Sequence, residues 1–245
     1  MSFRFLLLSS VIEKSILYFY TMGLHKKILQ SVFDIPFPIL NYDIPKYTLI
    51  DLSINNKELN NLNINNPTKC QNYIDTVLER TSASVAYGGY LEKRNLYSGN
   101  PNFSSTGNAE RNIHLGIDFW SRAGTKVMIP VNGKVHSFKN NAVIGDYGPT
   151  IILKHEVNGF HFHTLYGHLS VESIENLNEG KEFKKGAILG TLGSTAINVN
   201  YAPHLHFQII IDIADRQGDY PGVCSEVDLE FYAKNCPDPN LLLRM

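Results

Sequence analysis

The chain has 245 residues, 43% of them hydrophobic, and its 22 basic and 23 acidic side chains give a formal net charge of −1. That apolar content can bury a sizeable core, while the near-zero charge lacks the basic excess of a nucleic-acid or anionic-membrane binder. The three cysteines, Cys70, Cys224 and Cys236, are too few and too widely spaced for a disulfide framework or a CxxC knuckle. Unpaired thiols are expected, with a Cys224–Cys236 bridge as the alternative in an oxidising compartment.

The first residues, MSFRFLLLSSVIEKSILYFYTMGL, place Arg4 before an apolar run from Phe5 to Ile12, the outline of a secretion signal. Glu13-Lys14 interrupts the run, no small-x-small cleavage site follows, and Met22 is a second candidate start. No uninterrupted apolar run reaches the roughly 20 residues that span a bilayer. Residues 53–66, SINNKELNNLNINN, hold seven asparagines, which favour turns and caps, so this is a surface connection. After Pro67, Tyr73, Ile74, Val77 and Leu78 fall at helical spacing and predict one amphipathic helix.

From about Val85 the texture changes: glycines become frequent, and runs such as Lys126 to Val131 and Pro149 to Lys154 are bounded by turn residues. This is the pattern of a mainly β domain. Near the end, SEVDLEFYAKNCPDP predicts a short helix with Ser225 as its N-cap and Pro237 as its stop. The expected organisation is a partly helical extension over 1–85 that does no chemistry, a β domain over 86–212, and an appendage over 213–245 packing on it.

Eight of the nine histidines lie at or beyond His114, so any metal chemistry belongs to the β domain. In APHLHFQI, residues 202–209, strand alternation puts His204, His206 and Gln208 on one face and Leu205, Phe207 and Ile209 on the other. In NIHLGIDFW, residues 112–120, the same alternation sets Ile113, Leu115, Ile117 and Phe119 against His114, Gly116 and Asp118. An imidazole and a carboxylate at i and i+4, joined by a histidine from a second strand, supply three ligands and leave a fourth position open, as in a catalytic zinc site. A third segment, FHFHTLYGHLS at 160–170, carries His161, His163 and His168, and pattern alone does not choose between His168 and the other two. No HExxH, GxSxG or P-loop is present.

HxGxD at His114 to Asp118, YGHLS around His168 and PHLHF at Pro203 to Phe207, in that order, resemble the lysostaphin/LytM-type zinc endopeptidases. GTKVMIPVNGKV and FKKGAILGTLG resemble the glycine-punctuated strands of the same family, and the likeness covers about Gly89 to Ile211. The resemblance implies an antiparallel β-sandwich-like metallopeptidase domain with one zinc per chain, held by His114, Asp118 and His206. It implies that His168 and His204 are catalytic, that the substrate is the peptide of bacterial peptidoglycan, and that the protein works in the cell envelope, periplasm or outside the cell. For His25, His136, His155, His161 and His163 an ordinary surface or hydrogen-bonded role is expected. The alternatives are a non-enzymatic wall-binding or regulatory module on the same fold, whose degenerate members typically lack the metal ligands present here, and a phosphotransfer carrier with two facing histidines, which would not need Asp118.

Overall fold

The structure, a computed structural model, describes residues 23–32, 34–41, 46–96 and 110–245. The secretion-signal outline and Met22 lie outside the described residues. Helix α1 (residues 23–30) is followed by strand β1 (Tyr47–Leu49), helix α2 (Pro67–Thr81) and strands β2 (Val85–Gly88), β3 (Ile113–His114) and β4 (Ile117–Trp120). Then come β5 (Lys126–Met128), β6 (Gly133–Asn141), β7 (Gly148–Val157), β8 (Phe160–Gly167), β9 (Glu182–Phe183), β10 (Ile188–Thr191), β11 (His204–Ile210) and β12 (Val223–Cys224). Short helices α3 (Leu229–Asn235) and α4 (Asn240–Leu243) close the chain. No described helix is long and apolar enough to cross a membrane.

Eight strands form one sheet in the order β1-β2-β4-β11-β8-β7-β6-β9, antiparallel except for the β1–β2 pair. The β7–β8 hairpin turns on Asn158-Gly159, both at positive φ (51° and 76°). An Asn-Gly pair adopts that conformation readily, and the resulting two-residue loop fixes the register in which Val157 faces Phe160. Side chains of the sheet then separate by face. Phe119, Leu153, Phe162, Tyr166, Leu205 and Phe207 enter the larger core, over which the β5–β10 ribbon adds Val127 and Leu189. Ile152, Leu165 and Ile210 face a second core with Cys224 and Cys236.

The asparagine-rich connection supplies caps, as expected. The Asn56 side chain accepts from the Glu58 amide and the Asn66 side chain from the Lys69 amide, opening a 3-10 turn and α2 in turn. Helix α2 buries Cys70, Ile74 and Val77 against Ala86 and Trp120. Helices α1 and α4 meet: Leu29 of α1 shares the larger core with Leu242 and Leu243 of α4, and the Phe37 amide donates to the Leu243 carbonyl at 2.8 Å.

Two local expectations are corrected. Ser225 does not cap a helix amide; its hydroxyl donates to the Asp228 carboxylate at 2.7 Å, and a 3-10 turn (Glu226–Asp228) intervenes before α3. The stretch 113–119 is not one strand with one apolar face. It breaks between β3 and β4, so Ile113 and Leu115 pack in the second core while Ile117 and Phe119 pack in the first.

Candidate metal centre and cleft

Despite that break, His114 and Asp118 converge. β4 places Asp118 opposite His206 on β11, and β3, paired with β12, brings His114 in from the side. His114 Nε2, Asp118 Oδ1 and His206 Nδ1 all lie within 4.8 Å of one another, in side chains that are buried. His114 Nε2 is 2.9 Å from His206 Nδ1, and both lie 3.1–3.2 Å from Asp118 Oδ1.

The far side of each side chain shows which atoms are available. His114 Nδ1 donates to the Gly89 carbonyl at 2.9 Å, and His206 Nε2 donates to Gln208 Oε1 at 2.8 Å. A carbonyl oxygen only accepts, so these nitrogens carry the protons and the inward nitrogens carry lone pairs. Gln208 is itself fixed, because its amide nitrogen donates to the Pro221 carbonyl at 3.1 Å and lies 3.2 Å from Cys236 Sγ. Burial, followed by the charge of Arg94, lowers the His114 pKa to about 4. Burial works to raise the Asp118 carboxyl, but His114 and Arg94 outweigh it and hold the group well below the usual carboxylate range. His114 is thus neutral, and its inward lone pair faces His206 Nδ1 and a carboxylate oxygen. A cation satisfies such a set, and two imidazoles with one carboxylate fit zinc.

Gly116 leaves the space for the His206 ring: a Cβ there would lie 2.7 Å from His206 Cε1 and 2.8 Å from its Nε2. Beside the cluster, the ring centroids of His204 and His168 are 4.0 Å apart. His204 Nδ1 donates to the Ala202 carbonyl at 2.7 Å, and its Nε2 lies 4.0 Å from Asp118 Oδ1. Burial lowers the pKa of both rings, that of His168 well below its ordinary value, so both are neutral. His168 Nδ1 is buried without a hydrogen-bond partner among the described residues.

Regular alternation would not have aimed His168 here. Gly167 pairs with His206 while Tyr166 points into the larger core, so an extended residue 168 would follow Tyr166 away from the cluster. The His168 backbone instead takes φ 63°, and this left-handed turn at the strand end swings its ring into the site. The other histidines lie elsewhere. His161 is exposed and 3.7 Å from Glu156, His163 packs on His136 with ring centroids 5.0 Å apart, and His155 bonds the Asn132 carbonyl and the Thr164 hydroxyl. His25 stacks on Phe160.

The cluster lies in a cleft of about 580 Å3. Trp120, stacked on His204 at 5.8 Å, and Cys70 of α2 form part of one wall, and Tyr220 and Pro221 contribute another. Tyr147 covers His168 and His206, with ring centroids 5.6 and 5.1 Å away. Sequence reasoning had placed Gln208 on the histidine face but missed Tyr147 and Arg94. Arg94 Nη1 donates to Asp118 Oδ2 at 2.5 Å, and no spacing in the sequence signals that contact. Cys224 and Cys236 are buried, unbridged thiols.

Residues 112–218 match the profile described as "Peptidase family M23". A protein of Haemophilus influenzae described as an uncharacterized metalloprotease is 33% identical over 99 residues, which are 40% of this chain and 19% of that protein. Among solved structures, the catalytic domain of the antimicrobial peptidase lysostaphin from Staphylococcus simulans is 27% identical, covering 49% of this chain and 80% of its own, with a TM-score of 0.34. LytU is 29% identical, covering 57% of this chain and 83% of its own, with a TM-score of 0.34. A zinc-containing peptidase from Vibrio cholerae is 25% identical, covering 40% of this chain and 27% of its own, with a TM-score of 0.32. His114, Asp118, His168, His204 and His206 all fall within the segment, residues 112–218, that matches peptidase family M23.

Proposed function

We propose that the chain is a zinc-dependent endopeptidase that hydrolyses peptide bonds in the stem or cross-bridge peptides of peptidoglycan. The observation that carries the metal assignment is the convergence of His114 Nε2, Asp118 Oδ1 and His206 Nδ1, each belonging to a group whose other polar atom is already bonded. One zinc per chain would be held by these three residues and would supply Lewis acidity beside the cleft. The choice of peptidoglycan rests on the resemblance of the three motifs to the lysostaphin/LytM-type enzymes.

Bound there, zinc supplies Lewis acidity toward water and toward a scissile carbonyl. The chain's own residues do the rest. His204, its Nδ1 proton committed to Ala202, presents the unprotonated Nε2 toward the centre and can take a proton from the attacking water. His168, neutral and next to His204, is placed to stabilise charge developing on the carbonyl oxygen or to return a proton to the leaving amine. Tyr147 and Trp120 limit water around these two rings. The test is digestion of purified cell walls, read as new amino groups released. The zinc-loaded chain should release them, a chelator should abolish the release, and added zinc should restore it. Intact walls in the presence of zinc-loaded protein would overturn the proposal.

A further inference from the structure

We propose that Glu92 and Arg94 form a positioning device for Asp118, holding its carboxylate so that a single oxygen faces the metal; the inference rests on the metal-centre reading above. Arg94 is 1% exposed. Its Nη1 donates to Asp118 Oδ2 at 2.5 Å and its Nε donates to Glu92 Oε2 at 2.5 Å. Asp118 Oδ1 is left facing the two imidazole nitrogens at 3.1–3.2 Å. Glu92 is in turn anchored, because its Oε1 accepts from the Leu52 amide at 3.1 Å.

The surroundings are built for the guanidinium. It lies 5.6 Å from the centre of the Trp120 ring. Gly89, at φ +102°, leaves room for it, since a Cβ there would sit 1.8 Å from Arg94 Nη2. A carboxylate held only by a metal can bind through one oxygen or both and can rotate about its Cβ–Cγ bond. A charge-assisted bond to Oδ2 removes that freedom. Arg94 alone would add a buried positive charge beside a cation, and Glu92 offsets part of it. The pair therefore adds direction to the centre beside the charge of Arg94.

Full-length Arg94→Lys and Glu92→Gln separate these elements. The lysine keeps the charge but cannot reach both carboxylates with one planar fork. The glutamine leaves Arg94 in place without its anionic brace. Zinc affinity is measured by competition with a chromophoric chelator, and coordination number by the visible spectrum of the cobalt-loaded chain. Circular dichroism and thermal unfolding of the metal-free proteins report the fold. Arg94→Lys should bind zinc about 10–100-fold more weakly, the usual cost of losing a group that orients a ligand, and should shift the cobalt spectrum toward higher coordination. Glu92→Gln should move both in the same direction by less. Folded variants with the parent's affinity and cobalt spectrum would overturn the inference, as would weaker affinity with an unchanged spectrum, since charge alone would then be acting. If Arg94→Lys fails to fold, Glu92→Gln decides on the same criteria. A parent chain that takes up no zinc would overturn the metal-centre reading together with this inference, whereas a zinc-binding parent beside indistinguishable variants would overturn the inference alone.

Discussion

Replacing Gly116 with alanine tests the metal centre without touching a ligand. The added Cβ would lie 2.7 Å from His206 Cε1, 2.8 Å from His206 Nε2 and 2.7 Å from the Phe207 carbonyl oxygen, where ordinary contact begins at 3.4 Å. The imidazole must retreat by about 0.6 Å or rotate, because the Phe207 carbonyl belongs to the β11 backbone and yields little. Metal–ligand distances tolerate only about 0.2 Å, so this displacement is roughly three times what the centre accepts. It also strains the bond from His206 to Gln208 that sets the ring's tautomer. Zinc affinity should fall at least about 10-fold, while the overpacking costs the metal-free fold roughly 1–3 kcal/mol. The assay pairs a competitive zinc titration with urea unfolding of the metal-free protein. A folded Gly116→Ala chain with the parent's zinc affinity would refute the placement of His206 in the centre.

His168→Ala and His204→Ala should retain zinc by elemental analysis and lose on the order of 10²–10⁴ in cleavage rate, whereas His161→Ala and His163→Ala should cleave within several-fold of the parent. An active His168→Ala beside an inactive His163→Ala would mean that the left-handed turn at residue 168 is misplaced. Gln208→Leu should weaken zinc binding about 10–100-fold, because His206 Nε2 then loses its 2.8 Å acceptor and keeps only the Tyr147 hydroxyl at 3.5 Å; an unchanged affinity would count against that role. Burial lowers the folded-state pKa of His155 from 6.5 to about 4, so the unfolded chain binds the extra proton between those values and stability falls as pH drops through that window. One such histidine removes about 2 kcal/mol between pH 7 and pH 5, and His155→Gln should flatten the parent's loss in urea unfolding by that amount.

The sequence made the site legible wherever chemistry and strand parity agree. On β11, an unbroken seven-residue strand, alternation by itself placed His204, His206 and Gln208 on one face. It failed where the backbone leaves regular geometry. The break between β3 and β4 divides four apolar residues between two cores, and φ 63° at His168 reverses the parity of its segment. The first break was signalled by Gly116, an isolated glycine inside the strand pattern; the second was not, since histidine is not a turn former, and only the motif likeness pointed to His168. The Glu92–Arg94–Asp118 contacts join residues across a chain reversal, and charges at those separations look no different from solvated ones. α2 was read correctly because its capping asparagine, its Pro67 and its buried stripe all point the same way.

Gln208 is oriented from Pro221 and Cys236, late in the chain. His206 therefore acquires a fixed tautomer only after those residues have been synthesised and docked. During synthesis, a nascent chain that had emerged as far as β11 would already contain His114, Asp118 and His206, yet would hold a metal loosely. On the proposed zinc reading, tight metal capture would then be a late event in maturation.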